Sequence, residues 1–207
     1  MAIGNSFSSP YKGSGSLTRA QFLFYEMRTT AKLMNKGLSD KEIKAQIMSE
    51  NLFQYPTEKS LEQMTMVCLH RLKGLSDESL VSAIATMDAT TAKQICLYAM
   101  MKEYRLIWDF MITVIGTKYM QQDTTYNRSD INMFLLRLQE QDDYVASCSD
   151  STCKKIGSVL SRILIENEYI DDSKSKTLNP VLISRILEDA IRSSGDTKAL
   201  TAFNCLA

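Results

Sequence analysis

The sequence has few of the residues that enzymes use for proton transfer and metal binding. Its single histidine, His70, excludes a metal site built on several histidines and leaves one residue for a Ser-His-Asp arrangement. His70 lies among leucines and an arginine in a helical segment, which favours a surface or contact role over that of a general base. Gly13 and Gly15 follow no predicted strand, and no phosphate-binding loop motif occurs. The sequence therefore predicts no catalytic residues, no metal ligands and no cofactor.

Glycine and proline are also scarce, with 8 and 3 residues in a chain of 207. A sheet protein needs many tight turns, so this scarcity favours long helices. Apolar residues make up 44% of the chain and charged residues 23%, as in an ordinary globular protein with a sizeable core.

No apolar run is long enough to cross a membrane, because the longest, residues 106–115, is short and contains Asp109. The five cysteines form no close Cys-x-x-Cys pair, and Cys148 and Cys153 are too isolated from other ligands for a zinc site. With no signal peptide, these features predict a cytoplasmic protein with reduced thiols and no membrane segment.

Charge is balanced over the whole chain but not along it. Residues 1–37 contain five basic residues and one acidic residue, whereas residues 77–148 contain six basic and ten acidic residues. A basic face and an acidic face can therefore coexist on one fold, and the basic one is compatible with a local nucleic-acid footprint.

Helical periodicity and capping signals predict an all-α fold, a compact multi-helix bundle of about nine helices with two helix-turn-helix units. The first helix is predicted to start at Thr18 and the ninth at Asn179, with Pro180 in its first turn. Residues 105–120 are apolar almost all round, which indicates a central helix. The predicted organisation is a flexible N-terminus (1–16), an N-terminal helical lobe with the first helix-turn-helix (17–126) and a C-terminal lobe with the second (127–207).

The first helix-turn-helix candidate consists of the second and third predicted helices. Lys59, Ser60 and Gln63 lie near the N-terminus of the third helix, where such side chains reach phosphates and base edges in a major groove. Spacing alone favours the alternative, an ordinary helical hairpin with a solvated outer face.

The second candidate, built around the predicted eighth helix (about 149–166), has a better pattern. Its start is rich in hydroxyl groups and its outer face is basic, and the polar segment that follows resembles the wing of a winged helix-turn-helix. Asp171 and Asp172 offset the charge of the wing, so a plain solvated loop is an equal alternative. The candidate DNA-binding residues of this unit are Thr152, Lys154, Lys155, Ser158 and Arg162 on the helix, with Lys174 and Lys176 on the wing.

A third candidate lies on the first predicted helix, where Tyr25, Arg28, Lys32 and Lys36 share one face. The basic stripe could rest against a DNA backbone as non-specific anchorage, or it could be a solvated face. The spacing does not decide between the two.

From about Leu17 to about Ile191 the chain resembles the BrxA family of bacteriophage-exclusion (BREX) defence systems. The order and spacing of several stretches carry the resemblance: FYEMRTTAKLM, SENLFQ, HRLKGL, KEYRLIWDFMITVIGTKY, DSTCKKIGSVLSRILIENEYI and LNPVLISRIL. The resemblance implies an all-helical fold with helix-turn-helix elements, double-stranded DNA binding and no known enzymatic activity, in a system whose other subunits supply methyltransferase and ATPase chemistry.

Two family patterns fall on named positions of this sequence. A Thr-x-x-Lys pattern matches Thr152 and Lys155, and an Arg-Leu pattern matches Arg71 and Leu72. Because Arg71 adjoins an apolar stripe, a structural role such as pairing with an acid stands beside DNA contact.

The resulting hypothesis is a non-catalytic, monomeric subunit whose partners are double-stranded DNA and other BREX subunits. Two alternatives stay open. One is a protein-interaction scaffold of the same complex, docked through the acidic middle segment, and the other is an RNA-binding helical protein.

Overall fold

Helices dominate the computed structural model, which describes residues 8–205. Within that range no strand occurs, and Thr125 and Thr177 form one isolated antiparallel bridge. The predicted all-α class is confirmed. In chain order the α-helices are α1 (Phe24–Met34), α2 (Asp40–Glu50), α3 (Glu58–Gly74), α4 (Glu78–Thr86), α5 (Ala89–Glu103), α6 (Arg105–Phe110), α7 (Thr117–Met120), α8 (Arg128–Gln141), α9 (Asp143–Ala146), α10 (Asp150–Glu166) and α11 (Arg185–Ser194).

Short polar side chains start several of these helices, as the sequence predicts. Ser39 and Glu42 form a reciprocal capping box at α2, and the side chains of Asp88 and Ser149 accept backbone N–H groups at α5 and α10. Each of these side chains replaces an intrahelical acceptor that the first turn lacks, so it fixes where the helix begins.

The predicted central helix is one continuous helical segment, but it is not uniformly α-helical. A π-helix, Met111–Gly116, joins α6 to α7. Gly116 is buried, and a Cβ added there would lie 2.6 Å from Thr201 Oγ1, in the 3-10 helix Thr197–Phe203. Glycine therefore permits the close approach that packs the C-terminal 3-10 helix onto the core.

The predicted helix start at Thr18 is wrong. Residues Ser14–Thr18 form a 3-10 helix, the chain then leaves helical geometry, and α1 begins at Phe24. The cause lies in α3, where the guanidinium of Arg71 donates to the carbonyls of Ala20 (2.7 Å) and Gln21 (2.8 Å). Those carbonyls therefore accept from a side chain in place of the backbone N–H groups of a helix.

Residues at the N-terminal end of the described chain contact the helices around them. Ser9 donates to Asp142 at 2.9 Å, and the hydroxyl of Tyr11 donates to Asp109 at 2.8 Å. The flexible N-terminus predicted for residues 1–16 falls partly on residues 1–7, which lie outside the described residues.

The predicted start of the ninth helix at Asn179, with Pro180 in its first turn, is also wrong, because α11 begins at Arg185. The amide of Gln94, on α5, donates to the carbonyl of Leu182 and accepts the N–H of Ser184, both at 2.9 Å. Gln94 thus holds residues 180–184 in a non-helical conformation in the way that a neighbouring strand would.

The two arms of the predicted wing do not pair as a hairpin. The N–H of Leu178 donates to the carbonyl of Thr124 (2.7 Å), and the carbonyl of Lys176 accepts the N–H of Tyr126 (2.8 Å). The outgoing arm of the wing, residues 176–178, therefore pairs with the segment before α8. One bond from the N–H of Asn179 to the carbonyl of Tyr169, at 2.9 Å, closes the loop. The wing is therefore a loop held by its neighbours and not a two-stranded ribbon.

One hydrophobic cluster runs from Leu17 to Phe203 through the described chain. It contains residues of both predicted lobes, and the 3-10 helix Ser14–Thr18 packs on α10. The division between residues 126 and 127 therefore stays a prediction about sequence organisation and does not mark separate cores.

Asp123 fixes the turn that receives the outgoing arm of the loop. The hydroxyl and the backbone N–H of Thr125 donate to it, and Lys118 lies 3.0 Å away. These contacts lower the pKa of Asp123 from 3.8 to about 2. A lowered folded-state pKa means that the stabilisation is complete above about pH 4 and is lost as the pH falls towards 2.

We expect acid to lower the melting temperature of the native chain more than that of Asp123→Asn. Thermal unfolding followed by circular dichroism at about pH 6 and about pH 2.5 measures both decreases. Asp143→Asn, at an exposed carboxylate without an ion pair among the described residues, is the matched control and should behave like the native chain. Equal decreases in all three proteins would contradict the prediction.

Candidate nucleic-acid interface

Helix α10 presents the largest group of predicted site residues. Ser149 caps its start, and Ile156, Leu160 and Ile163 on its inner face are at most 3% exposed. Gly157 also faces α8, where a Cβ would be in ordinary van der Waals contact, 3.4 Å from Ile131. The inner face thus fixes α10 firmly and leaves its basic face outward.

That outward face forms one wall of a surface groove of about 410 Å³, which we call the cationic groove. The opposite wall is the N-terminal segment that Arg71 holds in place. Arg162 Nη1 donates to Gln21 Oε1 at 2.9 Å, which ties the two walls together. The lining residues are Thr18, Gln21, Lys154, Lys155, Ser158, Val159 and Arg162.

Among residues 8–205, no carboxylate lines the cationic groove. Within residues 8–205, Lys154, Lys155 and Arg162 have no acidic partner within 4.0 Å. Three cations without a direct ion-pair partner, placed on one concave surface, create a positive potential that attracts an anion. Their arrangement along two turns of one helix suits successive phosphates of a nucleic-acid backbone.

The hydroxyl groups of α10 are engaged within the helix. Ser158 Oγ donates to the carbonyl of Lys154 at 2.9 Å, and Thr152 Oγ1 lies 3.0 Å from Ser149 Oγ. The Ser158 proton is therefore used locally, and the cationic side chains are the groups left to bind a ligand.

The predicted wing lysines, Lys174 and Lys176, are exposed but do not line the cationic groove. The two acidic residues beside them shape the loop. Asp172 accepts the N–H of Lys174 at 2.6 Å, and Asp171 accepts from the side chain of Asn179 at 2.9 Å.

The first helix-turn-helix candidate has a weaker geometry. Seven residues, 51–57, separate α2 from α3, whereas a helix-turn-helix usually has a turn of about three or four. Lys59 and Gln63 are exposed, but Ser60 bonds with the capping Thr57. The outer face of α3 also carries Glu62, paired with Lys44 of α2, so its charge is mixed.

The basic stripe of α1 is divided by the packing. Arg28 Nη2 donates to the carbonyl of Met87 at 2.6 Å, so Arg28 joins α1 to the end of α4. Lys32 and Lys36 are exposed, and the hydroxyl of Tyr25 donates to Leu52 at 3.2 Å. None of these four residues lines the cationic groove.

Comparison with known proteins places the chain in a family. A family model described as BrxA matches residues 10–195. The chain belongs to the BrxA family. A protein of Bacillus cereus (strain H3081.97) with the name "BREX protein BrxA" is 35% identical over 175 residues, which cover 84% of this chain and 87% of that protein. A protein of the same name from Escherichia coli O9:H4 (strain HS) is 24% identical over 169 residues, covering 82% of this chain and 79% of that protein.

A solved structure shares the fold. The crystal structure of an uncharacterized protein from Magnetospirillum magneticum aligns with a TM-score of 0.78 at 22% sequence identity, covering 94% of this chain and 98% of that chain. The BrxA match includes every residue that lines the cationic groove, so the groove belongs to the part of the chain shared with the family.

Sequence reasoning missed the second wall of the groove in this BrxA-family chain. Thr18 and Gln21 line it, and Arg19 lies beside it, but the sequence predicted these residues to be in a regular helix. The one available signal was Arg71, an arginine within an apolar stripe. It is 1% exposed and serves a structural role, although its partners are backbone carbonyls and not the predicted acid.

Two further properties concern the described residues only. No group of three or more His, Cys, Asp or Glu side chains among them is placed to hold a metal ion. No helix formed by residues 8–205 is both long and apolar enough to cross a membrane.

Proposed function

We propose that the chain is a non-catalytic, double-stranded-DNA-binding component of a BREX anti-phage defence system. The observation that carries the proposal is the convergence of Lys154, Lys155 and Arg162 on a groove without carboxylates. Membership of the BrxA family and the names of its BREX relatives support the assignment to that system. We further propose that it acts in the cytoplasm, as a monomer when isolated, beside other BREX subunits.

The cationic groove binds the sugar–phosphate backbone in this proposal. Two ammonium groups and one guanidinium neutralise phosphates, and these contacts position the protein without reading sequence. Binding is therefore weakly selective for sequence. Lys174 and Lys176, and the exposed Lys32 and Lys36, provide additional contacts on a longer duplex.

Fluorescence anisotropy of a labelled duplex of about 30 base pairs, at about 50 and about 200 mM salt, tests the proposal. Three phosphate contacts predict a slope of about −2.7 in log affinity against log salt, hence binding about 40-fold weaker at the higher salt. Additional contacts make the slope steeper. A folded protein that ignores the duplex at the lower salt would refute DNA binding, and preferential competition by structured RNA would move the assignment to RNA.

A second candidate function, a protein-interaction scaffold, is favoured by exposed apolar side chains. Met133 and Leu136 share one face of α8 and are 51% and 57% exposed, and Leu182 is 89% exposed. Isolated apolar residues are common on surfaces, so DNA binding is the stronger proposal. Co-purification with another BREX subunit, by a chain that does not bind duplex DNA, would favour the scaffold.

A further inference from the structure

A second cavity, of about 460 Å³, adjoins the cationic groove. The two share Gln21 and Arg162, so the hydrogen bond between these side chains marks the boundary between them. The volume lies in the range of about 300–1,000 Å³ that is usual for small-molecule sites. A duplex cannot enter such a space, but a single nucleotide projecting from a bound strand can.

The two cavities differ in charge. Arg19 and Arg162 contribute guanidinium groups to the second cavity, and Glu26 and Glu166 contribute carboxylates. Carboxylates repel a phosphate, so the anionic part of a nucleic acid fits the cationic groove better. A neutral planar group with donors and acceptors on its edges, such as a nucleobase, matches the mixed lining of the second cavity.

The second cavity also has aromatic walls. Tyr25 is 55% exposed, and the bond from its hydroxyl to Leu52 restrains it at the edge of the cavity. Tyr55 is oriented by the bond from its hydroxyl to Glu26, at 2.9 Å. Phe24 is already contacted by the cations of Arg28 and Lys93, which leaves Tyr25 as the ring most open to stacking. Aromatic rings accept bases of any sequence, because every base has a π-face.

We propose that the second cavity is a nucleobase pocket that takes one unpaired base of a DNA strand whose phosphates lie in the cationic groove. Tyr25 stacks on the base, and Glu26 and Glu166 accept hydrogen bonds from an exocyclic amino group. This inference rests on the proposed DNA-binding function and adds the kind of DNA that binds best, a duplex with an extruded or bulged nucleotide.

Anisotropy with two labelled duplexes tests the nucleobase pocket. One is fully paired, and the other is identical except for a single unpaired adenine at its centre. We expect the bulged duplex to bind at least about 5-fold more tightly, since base stacking on an aromatic ring contributes at least that factor. Tyr25→Ala should bind the bulged duplex no more tightly than the paired duplex. Tyr25→Phe, which keeps the ring, should retain the preference for the bulged duplex.

Two further readouts sharpen the test. Met66→Ala, at an exposed residue of α3 outside both cavities, is the control and should retain the full preference. A 2-aminopurine at the bulge should change its fluorescence on binding the native chain but not on binding Tyr25→Ala.

The outcomes separate the two proposals. Equal affinity for both duplexes, or a bulge preference that survives Tyr25→Ala, overturns the nucleobase pocket and leaves the DNA-binding function standing. Failure to bind either duplex overturns the DNA-binding function and the pocket together.

Discussion

Reversing the charges of Lys154 and Lys155 together is expected to weaken duplex binding on the order of 200-fold at about 50 mM salt. Each phosphate contact releases close to one counterion, which at that salt concentration contributes about a 15-fold factor in affinity. The factors for the two lost contacts multiply, and the two new carboxylates add repulsion of the phosphates. Of the described residues that line the cationic groove, Arg162 alone would then be a cation.

The salt dependence separates this effect from a general loss of affinity. Loss of two contacts should reduce the slope of log affinity against log salt from about −2.7 to about −0.9, so the defect shrinks to about 20-fold at 200 mM salt. Anisotropy titrations of Lys154→Glu/Lys155→Glu at four salt concentrations measure the slope directly. Both side chains are exposed, so circular dichroism should show a folded protein.

A second double variant, Lys41→Glu/Lys198→Glu, controls for net charge. It changes the charge of the chain by the same amount at two exposed lysines outside both cavities. We expect its affinity to stay close to that of the native chain. Equal loss in the two double variants would show that binding follows net charge and not the groove, and undiminished binding by Lys154→Glu/Lys155→Glu would exclude the groove as the site.

The groove also shows which parts of a site can be predicted from sequence. Its α10 wall is predictable because the signals are local: Ser149 caps the helix, and apolar residues at helical spacing set the outward face. The opposite wall depends on the contact between Gln21 and Arg162, 141 residues apart. No periodicity encodes such a contact.

The two wrong helix starts have the same physical cause. In each, local signals favour a helix, but one polar side chain on another element binds the backbone and prevents it. Arg71 does so at residues 20–21, and Gln94 does so at residues 182 and 184. Tertiary hydrogen bonds to the backbone outweigh propensities of a few tenths of a kcal/mol per residue.

Replacement of Arg71 by Met is expected to lower the free energy of unfolding by about 2–5 kcal/mol. The guanidinium is 1% exposed and donates to two carbonyls, while it also lies 5.5 Å from the centre of the Tyr104 ring. Met fills much of the volume but leaves the carbonyls of Ala20 and Gln21 without these donors, at about 1–3 kcal/mol for the buried carbonyl of Ala20 and less for the part-buried carbonyl of Gln21. Against a typical total stability of about 5–15 kcal/mol this is a large effect. Urea unfolding followed by circular dichroism measures it.

Thr65→Val is a matched control for loss of a buried polar group. Thr65, also on α3 and fully buried, donates only to the carbonyl of Leu61, which lies within the same helix. Its replacement should cost much less than that of Arg71, because the helix geometry does not depend on that bond. Arg71→Lys should fall between the two, since one ammonium cannot match the planar fork that spans both carbonyls.

Arg71→Met should also weaken DNA binding under conditions in which the variant is still folded. Arg71 holds the backbone of Gln21, and Gln21 holds Arg162, so loss of Arg71 frees one wall of the cationic groove. We expect several-fold weaker duplex binding by Arg71→Met at a temperature well below its melting transition, with an unchanged salt slope because the phosphate contacts remain. A destabilised variant with native affinity would show that the groove does not depend on this support, and a variant of native stability would show that Arg71 does not hold the segment in place.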